Sequence, residues 1–138
     1  MKILIVDDDF VSRSKLEALL AAYGDCDTAE DGNTGFEMFE KSHEEFSCYD
    51  LITMDIDMPG MSGHEVLSKI REWEEANDVY KQSGNVKILM ATSMQSRTDV
   101  MTSFRGGCEG YLKKPITPEN LEEALGKIGI NKADYIEK

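Results

Sequence analysis

The run Asp50-Leu-Ile-Thr-Met-Asp55-Ile-Asp57-Met-Pro59 decides how this chain folds. An apolar stretch leads straight into Asp55, a second acid follows two positions later, and Pro59 with Gly60 stops the strand. Physically this is a buried strand that delivers a carboxylate to its own C-terminal end. Open α/β sheets bind ligands in the crevice outside those ends, so Asp55 stands where chemistry is done.

Working outward, residues 3–6 are a continuous β-branched and leucine run, the pattern of a strand covered on both faces. Asp7, Asp8 and Asp9 follow at once. Two unit charges about 4 Å apart at an effective dielectric of about 20 repel by roughly 4 kcal/mol, so three adjacent carboxylates ask for a cation. Asp9 is accounted for as a helix N-cap, which leaves Asp7 and Asp8. Residues 26–29 read as a short, weak edge strand. Residues 86–91 read as a fourth strand with Thr92 and Ser93 at its end. Tyr111 and Leu112 make a fifth, followed by Lys113-Lys114-Pro115. A residue before proline is pushed out of the helical region, so Lys114 is held extended at the sheet edge.

Helices fill the intervals. Val11, Leu16, Leu19, Leu20 and Tyr23 recur at helical spacing before Gly24. A second helix starts at Asp31-Gly-Asn-Thr and turns Phe36, Phe39 and Phe46 to the core, with His43 on its solvated side among Lys41, Glu44 and Glu45. Ser62 and Glu65 form a capping-box pattern before a third helix, whose buried stripe is Val66, Leu67, Ile70 and Trp73. His64, in its first turn, is expected at the surface. Residues 74–84 read as a frayed helix end plus a loop. Ser96 with Asp99 starts a fourth helix running to Phe104, closed by Gly106-Gly107. Thr117-Pro118 starts a fifth, buried through Leu121, Ala124, Leu125 and Ile128. Five strands alternating with five helices imply an α/β fold: a parallel sheet with right-handed crossovers in a three-layer, doubly wound domain.

At 138 residues there is room for one domain, expected over 1–130, with a short polar tail at 131–138. Lys plus Arg number 15 against 27 Asp plus Glu, a net charge of −12 that repels phosphate backbones and anionic lipid. Nucleic acid and membrane are therefore excluded as partners. Three scattered cysteines, Cys26, Cys48 and Cys108, make no metal spacing and suit reduced thiols in the cytoplasm. Four apolar residues before the first acid are too few for a signal peptide or membrane span.

The strand ends gather Asp7 and Asp8, Asp55, Thr92 and Lys114. Three carboxylates with oxygen donors only suit a hard divalent ion such as Mg²⁺. An ammonium and a hydroxyl opposite such an ion are what a phosphoryl group needs, and the carboxylate between them can be its acceptor. The set reads as an aspartyl-phosphate site.

The same residues carry a resemblance. Ile-Val-Asp7-Asp8, Met-Asp55-Ile-Asp57-Met-Pro59-Gly-Met-Ser-Gly63, Met-Ala-Thr92-Ser93 and Gly110-Tyr111-Leu-Lys-Lys114-Pro115 are similar to the receiver domain of two-component response regulators, over nearly the whole chain and in the right order. With no effector region, the chain resembles the stand-alone, chemotaxis-type receivers. The resemblance implies a flavodoxin-like sheet of order 2-1-3-4-5. It implies that Asp55 accepts a phosphoryl group from a histidine kinase or histidine phosphotransfer protein, with self-phosphorylation and autodephosphorylation as the only activities. Mg²⁺ or Mn²⁺ is implied on Asp8 and Asp55 directly, on Asp7 through a water and on the Asp57 carbonyl. Lys114 and Thr92 would each hold a phosphoryl oxygen. Thr92 drawn inward would let Tyr111 swing in, changing the face of the fourth helix, fifth strand and fifth helix that an unknown protein target reads. A cytoplasmic monomer or weak dimer is expected, and Lys114-Pro115 is cis in many such domains.

Blander readings exist for two of these: a tyrosine in a short strand is commonly packing, and a lysine at an edge strand blocks strand addition. Asp57 is itself a departure, since Asn is common there in chemotaxis-type receivers; its charge is expected to alter the lifetime of the acyl phosphate. Two alternatives compete with the whole reading. Asp-x-Asp after a strand also resembles haloacid-dehalogenase-type phosphohydrolases, which would turn over an aryl phosphate. A receiver-like interaction module would signal without phosphorylation.

Overall fold

Strand side chains alternate between two faces, and in this chain both are apolar, so the sheet has to be covered twice. In the computed structural model, which describes residues 1–79, 85–93 and 106–131, that is what happens. Strands β1 (Lys2–Val6), β2 (Asp25–Ala29), β3 (Leu51–Asp55), β4 (Lys87–Thr92) and β5 (Gly110–Lys113) are all parallel, in the order β2-β1-β3-β4-β5. Every residue of central β3 is buried. Leu4, Val6, Ile52, Met54, Ile88 and Met90 point to one face, where Phe39 of α2 (Gly32–Glu44) and Val66, Leu67 and Ile70 of α3 (Gly63–Ala76) cover them. Ile3, Ile5, Leu51, Leu89, Ala91 and Leu112 point to the other, beneath Leu16 and Leu20 of α1 (Phe10–Leu20) and Leu121 and Leu125 of α4 (Pro118–Lys127). Each such leucine or isoleucine contributes about 1.5–3 kcal/mol by leaving water. The result is the expected three-layer α/β sandwich with β2 and β5 at its edges.

Five helices were expected, and four stand among the described residues; the predicted helix over 96–104 lies outside them, as does the tail from 132. The caps are where local sequence placed them. Asp9 accepts from the Ser12 amide, Ser62 and Glu65 form a reciprocal capping box, and Thr117 caps α4 with Pro118 at its start.

Several expectations fail for identifiable reasons. Val11 is 71% exposed beside Phe10 at 69%; both stand in the first turn of α1, whose buried residues are Leu16 and Leu20 further along. Phe46 is 95% exposed at φ 56: the helix ends at Glu44, so its spacing from Phe39 no longer places it on the core face. His43 is not on a solvated face. It lies one turn beyond Phe39, half-buried, with its ring 4.9 Å from Phe39 and 4.7 Å from Trp73. Glu74 does not belong to a frayed end. It is buried inside α3, where Arg71 Nη1 and the Val86 amide (2.8 Å) both donate to it; Arg71 also reaches Glu109 at 2.8 Å.

Candidate functional site

The register of neighbouring strands brings their ends level. Val6 pairs with Met54, Asp55 with Ala91, and Thr92 with Lys113, so the residues just past each strand share one edge. Asp7 and Asp55 are buried there and Asp8 is exposed, with carboxylate oxygens of all three within 4.8 Å of one another. Lys114 reaches in from the end of β5, its Nζ 3.0 Å from Asp7 Oδ2 and 3.4 Å from Asp55 Oδ1. The Lys114 amide donates to the Thr92 carbonyl at 2.8 Å, and the Lys114-Pro115 bond is cis, as the resemblance implied.

One ammonium against three carboxylates leaves the cluster short of positive charge. Burial and then the charge of Asp7 push the Asp55 carboxyl up to about 7, with Lys114 opposing. Burial alone acts to lower Lys114, but its bond to Asp7 and the charge of Asp55 outweigh that and raise it. An oxygen-only donor set with one solvent-facing member and an excess of negative charge fits a hard divalent cation. Asp7 is oriented by the Asp9 amide at 2.9 Å, and Asp55 by the Asp57 amide at 3.2 Å.

The loop after β3 closes tightly. Gly63 donates its amide to the Ile56 carbonyl at 3.1 Å. A Cβ on Gly63 would collide with the Asp55 carbonyl oxygen and lie 2.8 Å from Ile56 Cα, so only glycine lets α3 start this close to the acid. Gly60, at φ +79, makes the preceding turn.

The seven residues singled out from sequence are thus placed as follows. Asp7, Asp8, Asp55 and Lys114 converge. Thr92, fully buried, is one strand over and donates its hydroxyl to Asp57 Oδ2 at 2.8 Å. Tyr111 is half-buried in β5, paired with Met90 and packed against the α2–α3 side of the core. Two contacts were missed. Arg13 donates from Nη1 to the Asp7 carbonyl at 2.9 Å; its position four residues after the Asp9 cap, on the turn facing back to β1, was the available signal. The Asp57–Thr92 bond was readable only from strand register. His64 also differs from expectation: both ring nitrogens are shielded from solvent and have no hydrogen-bond partner among the described residues.

Residues 3–126 match the profile described as "Response regulator receiver domain". The chain belongs to that family. This receiver is 35% identical over 130 residues to chemotaxis protein CheY-3 of Vibrio cholerae, covering 93% of the chain and 91% of CheY-3. It is 37% identical over 127 residues to hybrid signal transduction histidine kinase F of Dictyostelium discoideum, covering 91% of the chain but only 11% of that protein. Among solved structures, Vibrio cholerae CheY4 superposes with a TM-score of 0.76 at 30% identity, over 92% of this chain and 97% of that one. The receiver is therefore a phosphoacceptor of phosphorelay signal transduction rather than an enzyme of the ordinary kind, and the phosphohydrolase reading has no support. Receiver domains bind Mg²⁺ through an acidic pocket, and an acidic cluster stands at the corresponding strand ends here. Among the described residues no helix is long and apolar enough to cross a membrane.

Proposed function

We propose that this receiver takes a phosphoryl group onto Asp55 from a phosphohistidine on a sensor histidine kinase or histidine phosphotransfer protein. The observation that carries the assignment is a buried carboxylate at a strand end, gripped between Asp7 and Lys114. An Asp55 oxygen attacks phosphorus while the bond from phosphorus to the imidazole nitrogen breaks, and the imidazole leaves as the electron pair returns to it. Lys114 shifts toward the new phosphoryl oxygens, whose negative charge it helps to neutralise. Asp8 and Asp55 would hold Mg²⁺ or Mn²⁺ directly, Asp7 through a water and Asp57 through its carbonyl; the ion supplies charge neutralisation of the phosphoryl oxygens.

Thr92 holds another phosphoryl oxygen once it is released from Asp57, and Tyr111, on the neighbouring strand, follows it inward. The reader of that change is a protein target docking on the face of β5, α4 and the predicted helix over 96–104. Self-phosphorylation from small donors and autodephosphorylation belong to the same site. The setting is cytoplasmic, with the receiver a monomer or weak dimer.

Intact mass after incubation with Mg²⁺ and phosphoramidate tests the assignment. Wild type gains one phosphoryl group and Asp55→Asn gains none. Failure of the folded wild type to react replaces this reading with that of an unphosphorylated interaction module.

A further inference from the structure

The chemistry proposed for Asp57 uses only its backbone carbonyl, yet its carboxylate is engaged. Thr92, fully buried, donates Oγ1–H to Asp57 Oδ2 at 2.8 Å, while the Asp57 amide donates to Asp55 Oδ1 at 3.2 Å. One residue thus touches the acceptor with its backbone and the threonine with its side chain. The backbone of Thr92 is pinned: it pairs with Lys113 across the sheet, and its carbonyl accepts from the Lys114 amide. Re-aiming its hydroxyl therefore means turning the side chain about χ1, not moving the strand.

A threonine hydroxyl has one proton to donate. It can give that proton to the Asp57 carboxylate or to an oxygen on a phosphorylated Asp55, but not to both. We propose that the Asp57 side chain is a latch on the unphosphorylated state, holding Thr92 until the phosphoryl group displaces it. The inference rests on Asp55 being the acceptor. Two effects set the Asp57 carboxylate against the phosphoryl group. The charge-assisted bond stabilises the latched rotamer, and a phosphoryl group arriving beside Asp57 repels its carboxylate. Asp57 is exposed, so once released it turns into water rather than being trapped against the new anion. The latch sets how much of the phosphoryl group's binding is spent on conformational change, and so the threshold at which the receiver switches.

A double-mutant cycle isolates the contact, using beryllofluoride with Mg²⁺ as the phosphoryl probe. Asp57→Ala keeps the backbone carbonyl and should tighten beryllofluoride binding on the order of tenfold. In a Thr92→Val background, which has no proton to donate, the same change should have about threefold effect or less, the residue of charge repulsion alone. Equal factors in the two backgrounds overturn the latch. A second measurement needs no metal and no phosphoryl probe: methyl three-bond couplings of Thr92 in the metal-free protein. Wild type should show one χ1 rotamer and Asp57→Ala a mixture. A single unchanged rotamer in Asp57→Ala overturns the proposal. A wild type that takes up no beryllofluoride, but whose Thr92 rotamer does depend on Asp57, overturns the acceptor assignment and supports the contact.

Discussion

Asp55 is stored in the protein at a cost. Its carboxyl is pushed up to about 7 from an ordinary 3.8, by burial first and by Asp7 second. In the unfolded chain it ionises near 3.8, so between about pH 4 and pH 7 the folded state holds a proton that the unfolded state has lost. Stability in the absence of a divalent ion therefore falls as pH rises through that window. Asp55→Asn removes the charge and should raise the unfolding free energy at pH 8 in chelator by on the order of 2 kcal/mol, read by urea titration. A less stable Asn variant would mean that Lys114 already balances the site. At this scale the strand-end positions of Asp7, Asp8, Asp55 and Lys114 were legible, because an acid or lysine ending an apolar run has only one place to go in a parallel sheet. The partner of Asp57 was not. It depends on which strand lies beside β3 and at what offset, and neither is written near Asp57 in the chain.

At the level of elements, α3 does more than fill space. It begins against the Asp55 carbonyl and ends in a buried ion pair that holds the start of β4, since Glu74 accepts from both Arg71 and the Val86 amide. Glu74→Ala leaves Arg71 and that amide short of a partner and should cost about 3–5 kcal/mol in denaturant unfolding. The α2–α3 contact is also pH-sensitive. Burial lowers His43 from its ordinary 6.5, against the opposing charge of Glu74. Below about pH 6.5 the unfolded chain takes up the proton first, so stability is lost as pH falls. The half-exposed ring limits the loss to a few tenths of a kcal/mol. His43→Gln should flatten that part of the pH–stability curve. Caps and turns were legible because their chemistry is local. His43, Glu74, Val11 and Phe46 were misread because burial is settled by what lies across the helix, and periodicity alone does not say where the helix or its support stops.

The whole molecule carries a net charge of −12, part of it concentrated where Asp7, Asp8 and Asp55 meet. Self-repulsion of this size is screened over about 10 Å at 0.1 M salt. Raising sodium chloride from about 20 mM to about 500 mM in chelator should therefore raise the melting temperature by several degrees, and a flat response would show that the charges are already paired. The edge-to-face cluster of Phe39, His43 and Trp73 has an optical consequence. Trp73 is the sole tryptophan, and it sits ten residues along α3 from Gly63, about 15 Å down the helix from the acid loop. Its emission will report the packing of two helices, dimming as the neighbouring imidazole gains a proton, and will stay silent when an ion or phosphoryl group arrives at the other end of the molecule.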